Sequence, residues 1–250
     1  MNQNLMSNEQ DNKVEDFTRF FEDKNYIKLK NYLFNYLNRK RLVKFYSGKY
    51  LKGDKYCDLG SGISPVSPDL KKTTFIDISK PALKILQKKG YKTIYGSITE
   101  IPIDKEQFDM VFCSEVLEHV KDYRKAINEI SRILKTEGKA LITVPCWMKY
   151  WNTDDEFVGH YLRFNPEKMK EDIENSGMKL IEKKNLGSFI ERRITIFLVR
   201  NFKKNKKINN FMIYPYILAN YFLSWLVTVS SFLTSENKSS IIMFVCEKSR

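Results

Sequence analysis

Histidine is nearly absent from this sequence, with two in 250 residues, and the four cysteines never fall in the close pairs of a metal knuckle. Cys57, Cys113, Cys146 and Cys246 each lie in or just after a stretch with strand character. Free buried thiols in a reducing compartment are therefore expected, with no disulfide and no metal ligand set. No apolar core follows the start, where residues 1–13 are polar and acidic; a disordered tail and no signal peptide are expected there, with a cytoplasmic location. Before Lys207 no charge-free run exceeds ten residues. At 42% hydrophobic residues the chain is globular, and 250 residues suffice for one sizeable core.

What stands out is Lys55-Tyr56-Cys57-Asp58-Leu59-Gly60-Ser61-Gly62, followed by Phe75-Ile76-Asp77-Ile78-Ser79. The run before Asp58 has the character of a buried strand, and two glycines let the backbone turn sharply against a ligand. A second strand then ends on the carboxylate of Asp77, placed to hold a ribose diol. A dinucleotide fold wants a third glycine three residues after the second, and that position is Pro65. Asp58 beside the loop repels phosphate but suits a cation. S-adenosylmethionine, a ribosylated ligand with an ammonium and a sulfonium, meets both conditions.

Four blocks in order now carry a resemblance: CDLGSG at 57–62, FIDIS at 75–79, EIPIDKEQFDMVFCSEVLEHV at 100–120 and EISRILKTEGKALITVP at 129–145. They are similar to the class I S-adenosylmethionine-dependent methyltransferases, and the match runs over most of the chain. The resemblance implies an α/β, Rossmann-like fold: a mostly parallel seven-stranded sheet with helices on both faces. Strands are expected at about 55–59, 73–77, 92–95, 108–113 and 139–144, a last one near 241–247, and helices at about 80–89 and 122–135. Residues 14–50 form an N-terminal helical cap that either covers the site or packs on the sheet. Residues 51–250 form the methyltransferase domain, with 189–237 a basic and hydrophobic helical insertion before the last strand.

For the cofactor, S-adenosylmethionine, the resemblance implies Asp58, Leu59, Gly60, Ser61 and Gly62 in the loop, Asp77 and Ile78 at the second strand, and Ser114 after the fourth. Two departures stand beside it. Pro65 and Pro68 leave room only for a turn where the family has a long helix. Ser97, followed by Ile98, replaces an aspartate that contacts the adenine amine; its hydroxyl can accept the same bond more weakly. Methyl transfer needs positioning and exclusion of water, with a general base where the acceptor is a hydroxyl. Glu115 and His119 in SEVLEH, and His160 in a loop similar to the family's GHxRRF motif, are the catalytic candidates. His119 has a second reading, as a cap for the following helix. Cys146 is structural, since the motif that accompanies a cysteine nucleophile in cytosine-5 methyltransferases is missing.

Arg200, Lys203, Lys204, Lys206 and Lys207 precede a charge-free aromatic run from Phe211 to Leu233, and the net charge is +13. Basic residues before an apolar stretch favour an anionic membrane over nucleic acid, by about 1 kcal/mol per basic residue near the surface. A span would strand the last strand on the far side, so residues 200–233 are expected to attach to the membrane surface without crossing it. A helix pair that packs on the domain or joins a homodimer is the competing reading. The expected partner is a small-molecule or lipid-linked acceptor, such as a quinone precursor or glycan. An RNA-directed enzyme and a non-catalytic cofactor-binding scaffold are the alternatives; an Asn-Pro-Pro-Tyr block for nucleic-acid amine methylation is absent.

Overall fold

A computed structural model describes residues 24–202 and 213–250, with side chains described over 27–197 and from 213 onward. The expected tail at 1–13, the start of the cap and the basic cluster at 200–207 therefore lie wholly or largely outside the described residues. Seven strands form one sheet: β1 Tyr56–Leu59, β2 Thr73–Asp77, β3 Lys92–Tyr95, β4 Phe108–Ser114, β5 Leu134–Pro145, β6 Met178–Asn185 and β7 Ile241–Lys248. Their order is β3-β2-β1-β4-β5-β7-β6, parallel through β5, with β7 antiparallel to both its neighbours. Winding reverses between β1 and β4, so a crevice opens beyond their carboxyl ends, where ligands of such sheets bind. β6 is the strand that the spacing of apolar residues did not announce.

The helices start where short polar side chains can cap them. Ser79 accepts from the Ala82 amide at the start of α3, Lys80–Lys88, and Asp122 accepts from Lys125 at the start of α4, Tyr123–Ile133. Asn165 caps α6, Pro166–Asn175, with Pro166 in the first turn. On α4, Ala126, Ile127, Ile130 and Ile133 form the buried stripe, packed with Val111, Cys113 and Ile142 on one face of the sheet. The other face holds Met110, Phe112, Leu141 and Val245, covered by Tyr36, Leu42 and Val43 from the N-terminal region. All four cysteines are buried and free.

That N-terminal cover consists of α1, Lys24–Lys30, and α2, Phe34–Ser47. It packs on the sheet and also reaches the glycine loop: the Tyr36 hydroxyl donates to the Pro65 carbonyl at 2.8 Å, and the Ser64 hydroxyl to Asn31 Oδ1 at 3.0 Å. No helix forms between β1 and β2, as the two prolines require.

Between β6 and β7 come α7, Phe189–Phe202, and α8, Ile213–Phe232. The polar residues that interrupt the apolar run turn inward. Asn220 Oδ1 accepts from the Phe34 amide at 2.9 Å, Arg41 donates to the Ser224 carbonyl and the Thr228 hydroxyl, and the Ser231 hydroxyl donates to the Leu186 carbonyl. Tyr214, Leu218, Phe222, Trp225 and Phe232 face outward and are exposed. α8 is thus polar inside and aromatic outside. α8 packs on the domain through α2, the arrangement of the competing reading. Among the described residues no helix is long and apolar enough to cross a membrane.

Candidate active site

The chain leaves β1 at Leu59 and turns over two glycines with positive φ, Gly60 at 64° and Gly62 at 54°. A Cβ on Gly60 would lie 2.7 Å from a Val116 methyl, so only glycine lets this turn pass under the segment after β4. The Gly60 amide donates to the Ile76 carbonyl and the Gly62 amide to Asp77 Oδ2, both at 2.8 Å. Asp77 Oδ1 accepts from the Ser79 amide at 2.7 Å. These bonds fix the carboxylate at the end of β2, at the crevice. Burial raises its pKa, opposed by the Ser79 and Gly62 amides and by Lys30 of α1. Burial pushes Lys30 down to about 8, helped by Arg39 and opposed by Asp77.

Asp58 Oδ2 accepts from the amides of Val66 and Ser67 at 2.9 and 3.1 Å, so this oxygen tethers the loop that follows β1. Burial lifts the Asp58 carboxyl to about 7 against those two bonds. Leu59 is 1% exposed and belongs to the core, so only its backbone borders the loop. Ser61 and Ile78 are half-buried at the crevice. Ser97 and Ile98 follow β3, and the Ser97 hydroxyl already engages the Thr99 amide and hydroxyl. Ser114 Oγ lies 2.8 Å from Thr143 Oγ1, facing β5.

The catalytic candidates gather at one place. Glu115 takes a φ of 54°, which a side chain other than glycine adopts at a cost, and lies 3.4 Å from Arg39 of α2. A short helical turn, Leu117–His119, then carries Glu118 and His119. The rings of His119 and His160 meet edge to face at 4.6 Å. His160 arrives on the loop behind α5, Thr153–Phe157, which Asn152 and Asp155 close with a capping box. Nδ1 of His160 lies 2.8 Å from Asp155 Oδ1 and Nε2 lies 3.8 Å from Glu118 Oε1. The Tyr161 amide donates to the Glu118 carbonyl at 2.8 Å, so the two segments are stitched together.

Residues that sequence reasoning passed over complete this cluster. Asp155 is fully buried and also holds Arg163 Nε at 2.9 Å. Burial pushes its carboxyl up, yet the His160 and Arg163 bonds outweigh this and leave it below the ordinary range. Glu118 is fully buried, and burial followed by the charge of Glu115 drives its pKa far upward. Glu191 of α7, raised to about 8 by burial and then Glu115, lies at the same place. Asp154 pairs with Arg192 of α7, which also donates to the Tyr150 carbonyl. The cue in the sequence was the acidic run 154–156 beside a lone histidine.

The residues at the crevice fit S-adenosylmethionine. A glycine turn that tolerates no Cβ and a carboxylate pinned by two amides, each oxygen keeping a lone pair, suit a ribose diol.

Residues 57–142 match the family model described as a methyltransferase domain. An uncharacterized protein of Methanocaldococcus jannaschii is 36% identical over 113 residues, covering 44% of this chain and 47% of that one. The demethylmenaquinone methyltransferase of Staphylococcus carnosus is 27% identical over 138 residues, covering 48% of this chain and 56% of that one. The chain thus spans about half the length of the curated relatives it matches. Phosphoethanolamine N-methyltransferase 2 of Haemonchus contortus, solved with S-adenosyl-L-methionine, superposes with a TM-score of 0.58 at 18% identity, over 94% of this chain and 60% of that one. The [4+2]-cyclase SpnF superposes with a TM-score of 0.55 at 15% identity, over 84% and 81%. At such identities the superpositions speak for the fold alone. Sequence match, sheet order and the Gly62–Asp77 turn agree: residues 57–142 match a methyltransferase domain, and the sheet around them has the Rossmann-like fold of S-adenosylmethionine-dependent methyltransferases.

Proposed function

We propose that this protein transfers a methyl group from S-adenosylmethionine to a small-molecule or lipid-linked acceptor bearing a hydroxyl or phenol, of the quinone-precursor or glycan type. The carrying observation is the adjacency of two sites. Val116, the residue that forbids a side chain at Gly60, stands between Glu115 and the Glu118–His119 turn. Gly60, Gly62, Asp77 and the backbone at Ile78 hold the cofactor, which supplies an activated methyl on a sulfonium. Ser61, Ser97, Ile98 and Ser114 border it. Glu115, His119 and His160 serve the acceptor, and loss of the acceptor's proton is assisted at this cluster. The cover of α1 and α2 excludes water.

The matching demethylmenaquinone methyltransferases favour an aromatic, membrane-dissolved acceptor. The outward aromatic face of α8 supports the same reading, as a surface that docks on an anionic membrane or on a second copy of the chain. The second reading is a non-catalytic cofactor-binding scaffold, since a fold does not fix an activity. Titration calorimetry with S-adenosylmethionine tests the cofactor site. Cell extract incubated with the protein and a labelled methyl donor tests the acceptor: label in lipid or glycan supports the proposal, label in RNA overturns the acceptor class, and no label favours the second reading.

A further inference from the structure

We propose that Glu118, His119 and His160 bind one divalent cation of the manganese-to-zinc series at the acceptor side of the site. One donor atom from each of the three lies within 4.8 Å of the other two. Around a cation with bonds of about 2.0–2.2 Å the donors stand roughly 3–3.5 Å apart, so closing the set takes a shift of about one ångström.

A second observation points the same way. Glu118 is 0% exposed, and neither of its carboxylate oxygens accepts a hydrogen bond from another residue among the described residues. A buried carboxylate left so costs several kcal/mol unless it is neutralised or given a cation. Among the described residues the two arginines that face this carboxylate from a distance are each paired with another one. Arg39 faces Glu115 at 3.4 Å, and Arg163 is bound to Asp155 at 2.9 Å. Nε2 of His160 approaches Glu118 only to 3.8 Å, too far for a hydrogen bond and suited to two groups that share an ion.

The surroundings of His160 are those of a metal ligand. Its Nδ1 is held at 2.8 Å by Asp155, which is itself fixed by Arg163 and by the Asn152 amide. This carboxylate–histidine pair sets the tautomer and leaves Nε2 with its lone pair toward Glu118. The fully buried Asp155 thereby acquires a purpose beyond capping α5. Two imidazoles and one carboxylate suit manganese, iron, cobalt or zinc, whereas calcium and magnesium prefer oxygen alone. Three protein donors leave coordination positions open. An acceptor oxygen bound there would lose its proton more readily. That last step rests on the proposed methyl transfer; cation binding does not.

The experiment uses the whole chain, stripped with chelator and dialysed. Calorimetric titration with Mn²⁺ and with Zn²⁺ is expected to give one site and a raised thermal midpoint. Glu118→Gln and His160→Asn should weaken binding about 100-fold or more, and Asp155→Asn by about 10- to 100-fold. Electron spin echo spectra of the Mn²⁺-loaded parent should show coupling to imidazole nitrogen, a readout that needs no variant to fold. No saturable binding up to about 1 mM, parent-like binding by the variants, or an absence of nitrogen coupling would overturn the inference. S-adenosylmethionine is titrated into the metal-free protein in parallel. Cofactor binding without cation binding sinks this inference alone, and the reverse sinks the methyltransferase reading alone.

Discussion

The Tyr36 hydroxyl donates to the Pro65 carbonyl at 2.8 Å, joining the N-terminal helices to the loop that leaves β1. The bond is buried, so Tyr36→Phe leaves a carbonyl without its donor. A loss of about 1–3 kcal/mol in stability is expected. The loop should also hold the cofactor less firmly. Urea midpoints and cofactor calorimetry on the variant check both effects, and an unchanged affinity would show that the cap does not act on the loop.

Asp77 is expected to matter more. Replacing it with alanine removes a hydrogen-bond acceptor for the ribose and the anchor of the Gly62 amide. Cofactor binding should weaken by about 1.5–3 kcal/mol, the range for bonds to charged groups. Gly62→Val adds a branched side chain at a φ of 54° and should abolish binding. Parent-like calorimetric affinity in both variants would mean that the cofactor lies elsewhere.

His160→Ala should cut turnover about 100-fold or more while leaving cofactor affinity within a few fold. The expectation follows from its position beside Glu118 and His119. Steady-state rates and cofactor titration on one preparation separate the two quantities. A large loss of cofactor affinity would move His160 to the other half of the site.

Buried carboxylates give the stability a definite pH dependence. Asp58 rises from an ordinary 3.8 to about 7 in the fold, and Glu191 from 4.5 to about 8. Between those values the folded chain keeps protons that the unfolded chain has lost. Their stabilising effect is full below the unfolded values and is lost as pH climbs through 7 and 8. Glu182 works oppositely. Hydrogen bonds from Lys184, Lys49 and Tyr50 overcome its burial and hold it near 2, so its contribution disappears as pH falls from 4.5 toward 2. Maximum stability is expected on the mildly acidic side of neutrality, with a urea midpoint higher at pH 5.5 than at pH 8.5. Asp58→Asn should flatten that slope, and an unaltered slope would remove Asp58 from the account.

The two faces of α8 should answer differently to substitution. Asn220→Ala removes the acceptor for the Phe34 amide and should cost about 1–3 kcal/mol. Phe222→Ser with Trp225→Ser alters exposed side chains and should leave stability within about 0.5 kcal/mol per site. The same pair should lower flotation with anionic vesicles if the aromatic face meets lipid. Parent-like flotation together with a change in sedimentation mass would identify a second copy as the occupant.

Much of this architecture is legible in the chain, because β1 to β5 and the helices between them carry their own periodicity and caps. Ser79 before Pro81 and Asp122 before Tyr123 announce α3 and α4 without any tertiary contact. The acceptor side was less legible. Asp155 shows itself as a helix cap, and its bond to His160 exists only because the loop at Gly159 folds back. Glu118 offers no sign of burial, since its neighbours Glu115 and His119 are half-buried. On α8, Asn220, Ser224, Thr228 and Ser231 recur at helical spacing, yet it takes Phe34, Asn38 and Arg41 on α2 and the Leu186 carbonyl to decide that this stripe faces inward.

Asn185 at the end of β6 stands in register with Ile242 near the start of β7. Everything between them leaves and re-enters the sheet through a doorway about 5 Å wide. The doorway needs only a short turn to close it, so the length of what hangs there is free of the sheet's geometry. α7 and α8 can therefore be exchanged, lengthened or pared back in descendants of this chain while the register of the seven strands stays as it is. What constrains such changes is α2, whose Asn38 and Arg41 would need new partners or water, and Asp154, which would lose Arg192 of α7. The part of the molecule freest to diverge is thus the part that carries its outward aromatic surface.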